Sequence, residues 1–134
     1  MKTTLTLAAL LATALLTGCA TTGDTTAGGT GNAAFDEAAK IALDKNKAAM
    51  KEGYAWTSTS AKNKYDTDKT EEGKAFKASG KKVTLVEVAL FEGEQALKKG
   101  DEAAAMKKVK LANELADAQL AQKEQNKDFK ILWK

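Results

Sequence analysis

The 134-residue chain contains no histidine and no proline, and all 21 of its basic residues are lysines. Without histidine it lacks a side chain whose ordinary pKa is near neutral pH, the base of Ser-His-Asp and Cys-His nucleophiles, and a common zinc ligand. Without arginine it lacks the planar group that binds phosphate through paired hydrogen bonds. These absences remove most hydrolytic mechanisms and, with a net charge of only +3, predict no nucleic-acid partner.

Cysteine occurs once, at Cys19, so the chain cannot form an intrachain disulfide, a Cys-x-x-Cys redox pair or a c-type haem attachment. The acidic residues Asp66, Asp68, Glu71 and Glu72 loosely suggest a calcium loop. Their glycine and terminal glutamate do not fall at EF-hand spacing, however, and we interpret them as a solvated loop interleaved with lysines. The sequence therefore predicts a protein that is not an enzyme and that holds no cofactor or metal.

The N-terminus has the anatomy of a signal peptide. Met1 and Lys2 form a short basic region, and residues 5–16 are uncharged and mostly apolar. A membrane-spanning helix needs about 20 apolar residues, so this run is too short to span a bilayer. We predict that residues 1–18 are a removable signal peptide.

The residues that end this segment, Leu16-Thr17-Gly18-Cys19, resemble the lipobox of bacterial lipoproteins. The resemblance implies export, attachment of a diacylglyceryl group to Cys19, cleavage before it and acylation of the new amine. Two or more acyl chains hold a protein on a bilayer, so the membrane is a predicted partner through Cys19. Ala20 and Thr21 stand where inner-membrane lipoproteins often carry aspartate, which by the same resemblance favours the outer membrane, facing the periplasm. The alternative is a secretory signal or uncleaved anchor with a coincidental cysteine.

The mature chain divides into a linker and a helical domain. Residues 20–31 are alanine, threonine, glycine and one aspartate, which offer no large apolar group to pack. We therefore predict a lipidated cysteine and flexible linker over residues 19–32, and a helical domain over residues 33–134.

The helical domain begins with a predicted helix from about Ala33 to Glu52, capped by Asn32 and closed by Gly53. Its apolar stripe is mostly alanine. A short helix is predicted from about Thr70 to Ser79, and the rest of residues 54–83 is predicted to be loop, with a possible turn of helix after Thr57.

The strongest local signal is the capping box Thr84-Leu85-Val86-Glu87, which precedes an apolar run and predicts a buried helix. Gly100 ends that helix, and Asp101 caps a third one that extends to about Gln125. The pair resembles a tetratricopeptide-type helical hairpin, although the chain is too short for a tetratricopeptide array. We predict an all-α fold: a small three-helix bundle that contains this hairpin and follows a flexible tether.

The third helix carries two apolar stripes, which imply two neighbours. The first stripe comprises Met106, Val109, Ala112, Ala116 and Leu120, and the second comprises Leu111, Leu115 and Ala118. The second stripe could face the first helix, the apolar C-terminal residues 129–133 or another protein. Trp56, with Tyr54 and Tyr65, could form a sugar-stacking or partner-docking surface, since such aromatics are favoured at interfaces. The alternative is that Trp56 and at least one tyrosine close the open end of the helical core. The candidate partner-binding residues are therefore Tyr54, Trp56, Leu111 and Leu115.

Three segments give the mature chain a resemblance to the SoxXA-binding proteins of sulfur-oxidising bacteria: Gly53-Tyr54-Ala55-Trp56, Gly100-Asp101 and the Lys/Ala helix to Gln122. The resemblance departs at Thr57 and Ser58, where charged residues are expected, and at an apparent insertion before Val83. It implies a non-catalytic protein-interaction module that docks on a periplasmic c-type cytochrome complex and supports thiosulfate oxidation. The alternative is a structural lipoprotein that tethers or spaces the outer membrane and peptidoglycan, for which the C-terminal Lys134 offers a weak match.

Overall fold

A computed structural model describes residues 29–127, which form five helices. They are α1 (Ala33–Lys51), α2 (Thr59–Tyr65), α3 (Glu71–Ala78), α4 (Leu85–Lys98) and α5 (Glu102–Asn126). Over these residues there is no strand and the helices pack as a bundle, so the predicted all-α class is confirmed. The predicted signal peptide, Cys19 and the apolar residues 129–133 lie outside the described residues. No helix within 29–127 is long and apolar enough to cross a membrane.

The ends of the helices are set by local sequence. At the N-terminus of each described helix, a side-chain oxygen of the N-cap residue accepts a hydrogen bond from a backbone N–H in the first turn. The N-cap residues are Asn32, Ser58, Thr70, Thr84 and Asp101. Such a cap contributes about 1 kcal/mol. Helices α1 and α4 end alike, because Gly53 and Gly100 adopt φ of 79° and 81° and the residue after each donates to a carbonyl five residues earlier, at 2.9 Å.

The three long helices form the main core. Ion pairs join Lys45 to Asp117 and Glu52 to Lys123, in the same order along both helices, so α1 runs parallel to α5. Helix α4 runs antiparallel to α1, since Asn46 contacts Thr84 at its start and Phe35 lies against Gly93 near its end. The buried residues between the three are Phe35, Ala42, Val86, Ala89, Leu90, Ala105, Val109, Ala112 and Ala116.

A second core lies between α4 and the pair α2–α3. The rings of Tyr65, Phe76 and Phe91 meet at centroid distances of 5.0, 5.1 and 5.8 Å, with both Phe91 contacts edge-on. Val88 and Ala61 complete this aromatic cluster. Because α4 contributes to both cores, its first turns are buried nearly all round, as the apolar run predicts.

Three details differ from the sequence-based expectations. The segment after Thr57 forms a seven-residue helix, α2, rather than a single turn. On α5, Met106 is 38% exposed and Ala105 occupies the core instead, because the buried face repeats every seven residues from Ala105 to Gln119. The capping box at Thr84 is one-sided: the Glu87 carboxylate accepts from the backbone N–H of Lys82 at 2.6 Å rather than from that of Thr84.

Candidate functional site

The segment that carries Trp56 is held firmly between α4 and α5. Its backbone N–H donates to the side-chain oxygen of Gln119 at 3.2 Å, and its carbonyl accepts from the N–H of Leu85 at 2.8 Å. The indole N–H donates to the Gln122 side chain at 2.8 Å. Trp56 is half-buried, so it presents part of its surface to solvent.

The other candidate partner-binding residues are divided between core and surface. Leu111 is 41% exposed, whereas Leu115 is half-buried and packs against the main core. Tyr54 is half-buried directly after the glycine that ends α1, and its backbone N–H donates to Ala49. Of the neighbours that the sequence leaves open for the second stripe, Leu115 contacts the main core of its own chain, and Leu111 is the more exposed of the two leucines.

Trp56 extends the second stripe of α5. Steps of four, three and four residues connect Leu111, Leu115, Ala118 and Gln122, so these residues share one side of the helix. Because Gln122 binds the indole of Trp56, the tryptophan lies at the C-terminal end of this stripe. We call this surface the Trp56 flank and define it by Trp56, Leu111, Leu115, Ala118 and Gln122. Of the other large apolar residues in the described region, Ile41 is also well exposed, at 46%, but it lies on α1.

A polar groove of about 790 Å³ opens between α2–α3 and the hairpin of α4 and α5. At its centre the Glu92 carboxylate accepts from the Tyr65 hydroxyl and from the Lys108 ammonium, both at 2.6 Å. Lys64 lies 3.8 Å from the same carboxylate and 4.8 Å from the centre of the Tyr65 ring. The network links the α2–α3 pair to the hairpin through one acid.

The pKa values in the groove follow from these contacts. Burial raises the pKa of the Tyr65 hydroxyl, and its hydrogen bond to Glu92 raises it further. Burial by itself would raise the pKa of Glu92, but the hydrogen bonds from Lys108 and Tyr65 outweigh it, so the pKa is lowered. The pKa of Lys64 is raised, mainly by its interaction with Tyr65. At neutral pH the lowered pKa of Glu92 keeps it a carboxylate and the raised pKa of Tyr65 keeps its hydroxyl a donor, so the hydrogen bond between them persists.

Charged side chains of the described residues were considered as metal ligands in the sequence. They contain no group of three Cys, His, Asp or Glu side chains placed to hold a metal ion. The acids considered for a calcium loop are paired with lysines instead: Asp66 and Asp68 with Lys77, Glu71 with Lys74, and Glu72 with Lys64. Asp66 and Asp68 lie between α2 and α3, whereas Glu71 and Glu72 belong to the first turn of α3 rather than to a loop.

Sequence reasoning did not find the groove. Tyr65 and Glu92 are 27 residues apart and belong to different helices, and no spacing rule joins them. Lys108 follows Glu92 by 16 residues across the turn of the hairpin. A hairpin prediction does imply that residues on either side of Gly100 pair, so the Glu92–Lys108 contact is the one signal that the sequence offered.

Comparison with known proteins adds no further assignment. No family model matches the chain, and no match is found among curated proteins or solved structures.

Proposed function

We propose that this protein is an exported lipoprotein, anchored in the cell envelope through acyl chains on Cys19, whose helical domain acts by binding another protein. The observation that carries the proposal is the motif Leu16-Thr17-Gly18-Cys19 at the end of a short apolar run. Cys19 is the only cysteine, so the sulfur has no disulfide partner within the chain. In the most specific version the protein faces the periplasm from the outer membrane, and its partner is a SoxXA-type c-type cytochrome.

The geometry of the bundle suits an anchored binding module. The chain enters the bundle at the start of α1, at Ala33, while Trp56 follows the opposite end of that helix. A helix of this length rises about 28 Å, so Trp56 lies roughly that far from the point where the predicted linker joins the domain. The Trp56 flank therefore extends to the end of the bundle that is farther from the anchored end.

The Trp56 flank is the surface that we propose for the partner. It combines an exposed leucine with a half-buried tryptophan that its hydrogen bonds hold in one orientation. Rigid aromatic groups beside aliphatic ones are enriched at protein interfaces, and preorganised side chains lose little entropy on binding. Exposed Leu111 is the residue whose removal leaves the core intact.

The lipid anchor is tested by replacing Cys19 with serine in the full chain and fractionating the cells. We expect the native protein in the membrane fraction, with an intact mass raised by the acyl groups, and the Cys19→Ser protein without the adduct. Thr22→Ser, just after the motif, is the matched control and should be processed normally. A native protein whose mass shows no acyl adduct would contradict the proposal.

The binding role is tested with two exposed aliphatic residues. Leu111→Ser and Ile41→Ser each change one surface side chain, so the free energy of unfolding should move by no more than about 0.5 kcal/mol. When the tagged protein is purified from solubilised membranes of its host, a c-type haem absorbance should accompany the native chain and Ile41→Ser but be lost from Leu111→Ser. Retention on purified peptidoglycan without any haem protein would instead favour a structural envelope role.

A further inference from the structure

Two fully buried polar side chains of residues 29–127 each have one atom without a hydrogen-bond partner. Asn46 of α1 and Gln119 of α5 are both 0% exposed. Within the described part of the chain, Asn46 Oδ1 and Gln119 Nε2 have no hydrogen-bond partner. Buried polar groups are almost always satisfied by protein or by ordered water, so these two atoms require an explanation.

The orientation of both amides is fixed by their other bonds. Asn46 Nδ2 donates to the Glu87 carboxylate and to the Thr84 hydroxyl, each at 3.1 Å, and a carboxylate can only accept. Gln119 Oε1 accepts from the backbone N–H of Trp56 at 3.2 Å, which can only donate. Rotating either amide by half a turn would set donor against donor or acceptor against acceptor, so the unpaired atoms are an acceptor on Asn46 and a donor on Gln119.

The two side chains lie at the same level of the bundle. Helices α1 and α5 are parallel, and Lys45 beside Asn46 pairs with Asp117, two residues before Gln119. Hydrogen bonds also connect them through the start of α4: Asn46 bonds to Thr84, the adjoining Leu85 bonds to Trp56, and Trp56 bonds to Gln119. Both side chains are therefore buried at one level of the bundle, beside the start of α4.

We propose that Asn46 and Gln119 form a binding site for one internal water molecule. Its ligand must donate to Asn46 Oδ1 and accept from Gln119 Nε2. A cation cannot accept a hydrogen bond, and an anion would face the Asn46 oxygen and the buried Glu87 carboxylate. Water is small and neutral and does both, and two to four polar partners are what buried waters have. The water gives both unpaired amide atoms a hydrogen-bond partner and connects α1 to α5.

The direct test is a crystal structure of the full chain carrying Cys19→Ser, at a resolution that shows ordered water. We expect a well-ordered density peak within hydrogen-bond distance of both Asn46 Oδ1 and Gln119 Nε2. A direct bond between the two amides, or continuous apolar packing with no peak between them, would overturn the proposal.

A double-mutant cycle gives an independent test in solution. Asn46→Leu and Gln119→Met each remove one partner of the water, and each should raise the unfolding equilibrium constant about tenfold. Once one substitution has weakened the binding of the water, the second has less left to remove. The unfolding equilibrium constant of the double variant should therefore rise by less than the product of the two single increases. The matched control combines Gln119→Met with Asn113→Leu, because the native Asn113 amide donates to the Ala38 carbonyl instead. In this control the two increases in the unfolding equilibrium constant should multiply. If the increases from Asn46→Leu and Gln119→Met also multiply, the bridge is refuted.

Discussion

Gly93 of α4 lies directly against the Phe35 ring of α1, and replacing it with alanine should destabilise the protein. A methyl group there would lie 2.7 and 2.9 Å from two carbons of the Phe35 ring and 3.2 Å from Cβ of Lys108. Carbon atoms at van der Waals contact are about 3.5–4.0 Å apart, so the closest approach is roughly 1 Å too short. Phe35 is completely buried, and its ring cannot move without displacing the alanine-rich core around it.

Two opposing effects decide the size of the change. Alanine in a helix interior is favoured over glycine by about 1 kcal/mol. Overpacking a filled core costs about 1–3 kcal/mol, and contacts on two sides of the new methyl place this case towards the upper end. We therefore expect Gly93→Ala to lower the free energy of unfolding by about 1–2 kcal/mol, or the melting temperature by about 4–8 °C for each kcal/mol.

The assay is urea and thermal unfolding followed by far-ultraviolet circular dichroism. Ala121→Gly, at an exposed position on α5, calibrates helix propensity and should cost about 1 kcal/mol. Phe35→Leu shortens the obstructing ring, so in that background Gly93→Ala should cost less than in the native chain. If Gly93→Ala is as stable as the native protein or more so, the close packing of α4 on α1 is wrong.

Two further predictions concern the groove and the start of α4. Because the pKa of Glu92 is lowered from its usual 4.5, the stability it provides is present above that pH and is lost as the pH falls through its lower folded value. The raised pKa of Tyr65 gives stability that is present below pH 10.0 and lost as the pH rises through its folded value. Unfolding midpoints measured against pH should therefore show a loss of stability at acid pH and another at alkaline pH in the native chain. In Tyr65→Phe the acid loss should be smaller, and the alkaline loss due to Tyr65 should be absent. Thr84→Ala removes both the cap of α4 and the acceptor of the buried Asn46 amide, so it should cost at least about 1–2 kcal/mol in urea unfolding, whereas Thr84→Ser keeps the hydroxyl and should retain most of that stability. Equal losses would contradict the role of the hydroxyl.

Local signals predicted the helix boundaries well because they act within one turn. Asn32, Thr84 and Asp101 each bond to an N–H three residues later, and Gly53 and Gly100 supply the positive φ that ends α1 and α4. None of these contacts depends on the rest of the fold. The αα-hairpin follows from them, since only three residues, Lys99 to Asp101, separate the two capped helices, which must therefore lie side by side.

The aromatic cluster could not be predicted in the same way. Tyr65, Phe76 and Phe91 come from three different helices, and in the sequence each is surrounded by polar residues or lies on a helix with apolar groups on every side. Their meeting depends on how α2 and α3 fold back across α4, which is a tertiary event. The same holds for the polar groove, because its Tyr65–Glu92 bond forms only once the α2–α3 pair has docked.

The buried amides were missed for a different reason, and it bears on how the bundle chooses its register. Asn46 and Gln119 fall on helix faces that otherwise bury mostly alanine, so composition assigns them to the surface. An alanine-rich core, however, has little side-chain shape with which to distinguish one alignment of α1 on α4 from the next. A buried amide does distinguish them, since a shift by one turn would separate Asn46 from Thr84 and Glu87 and leave a donor unpaired. The polar residues therefore supply the alignment that methyl groups cannot, as a buried asparagine does in coiled coils.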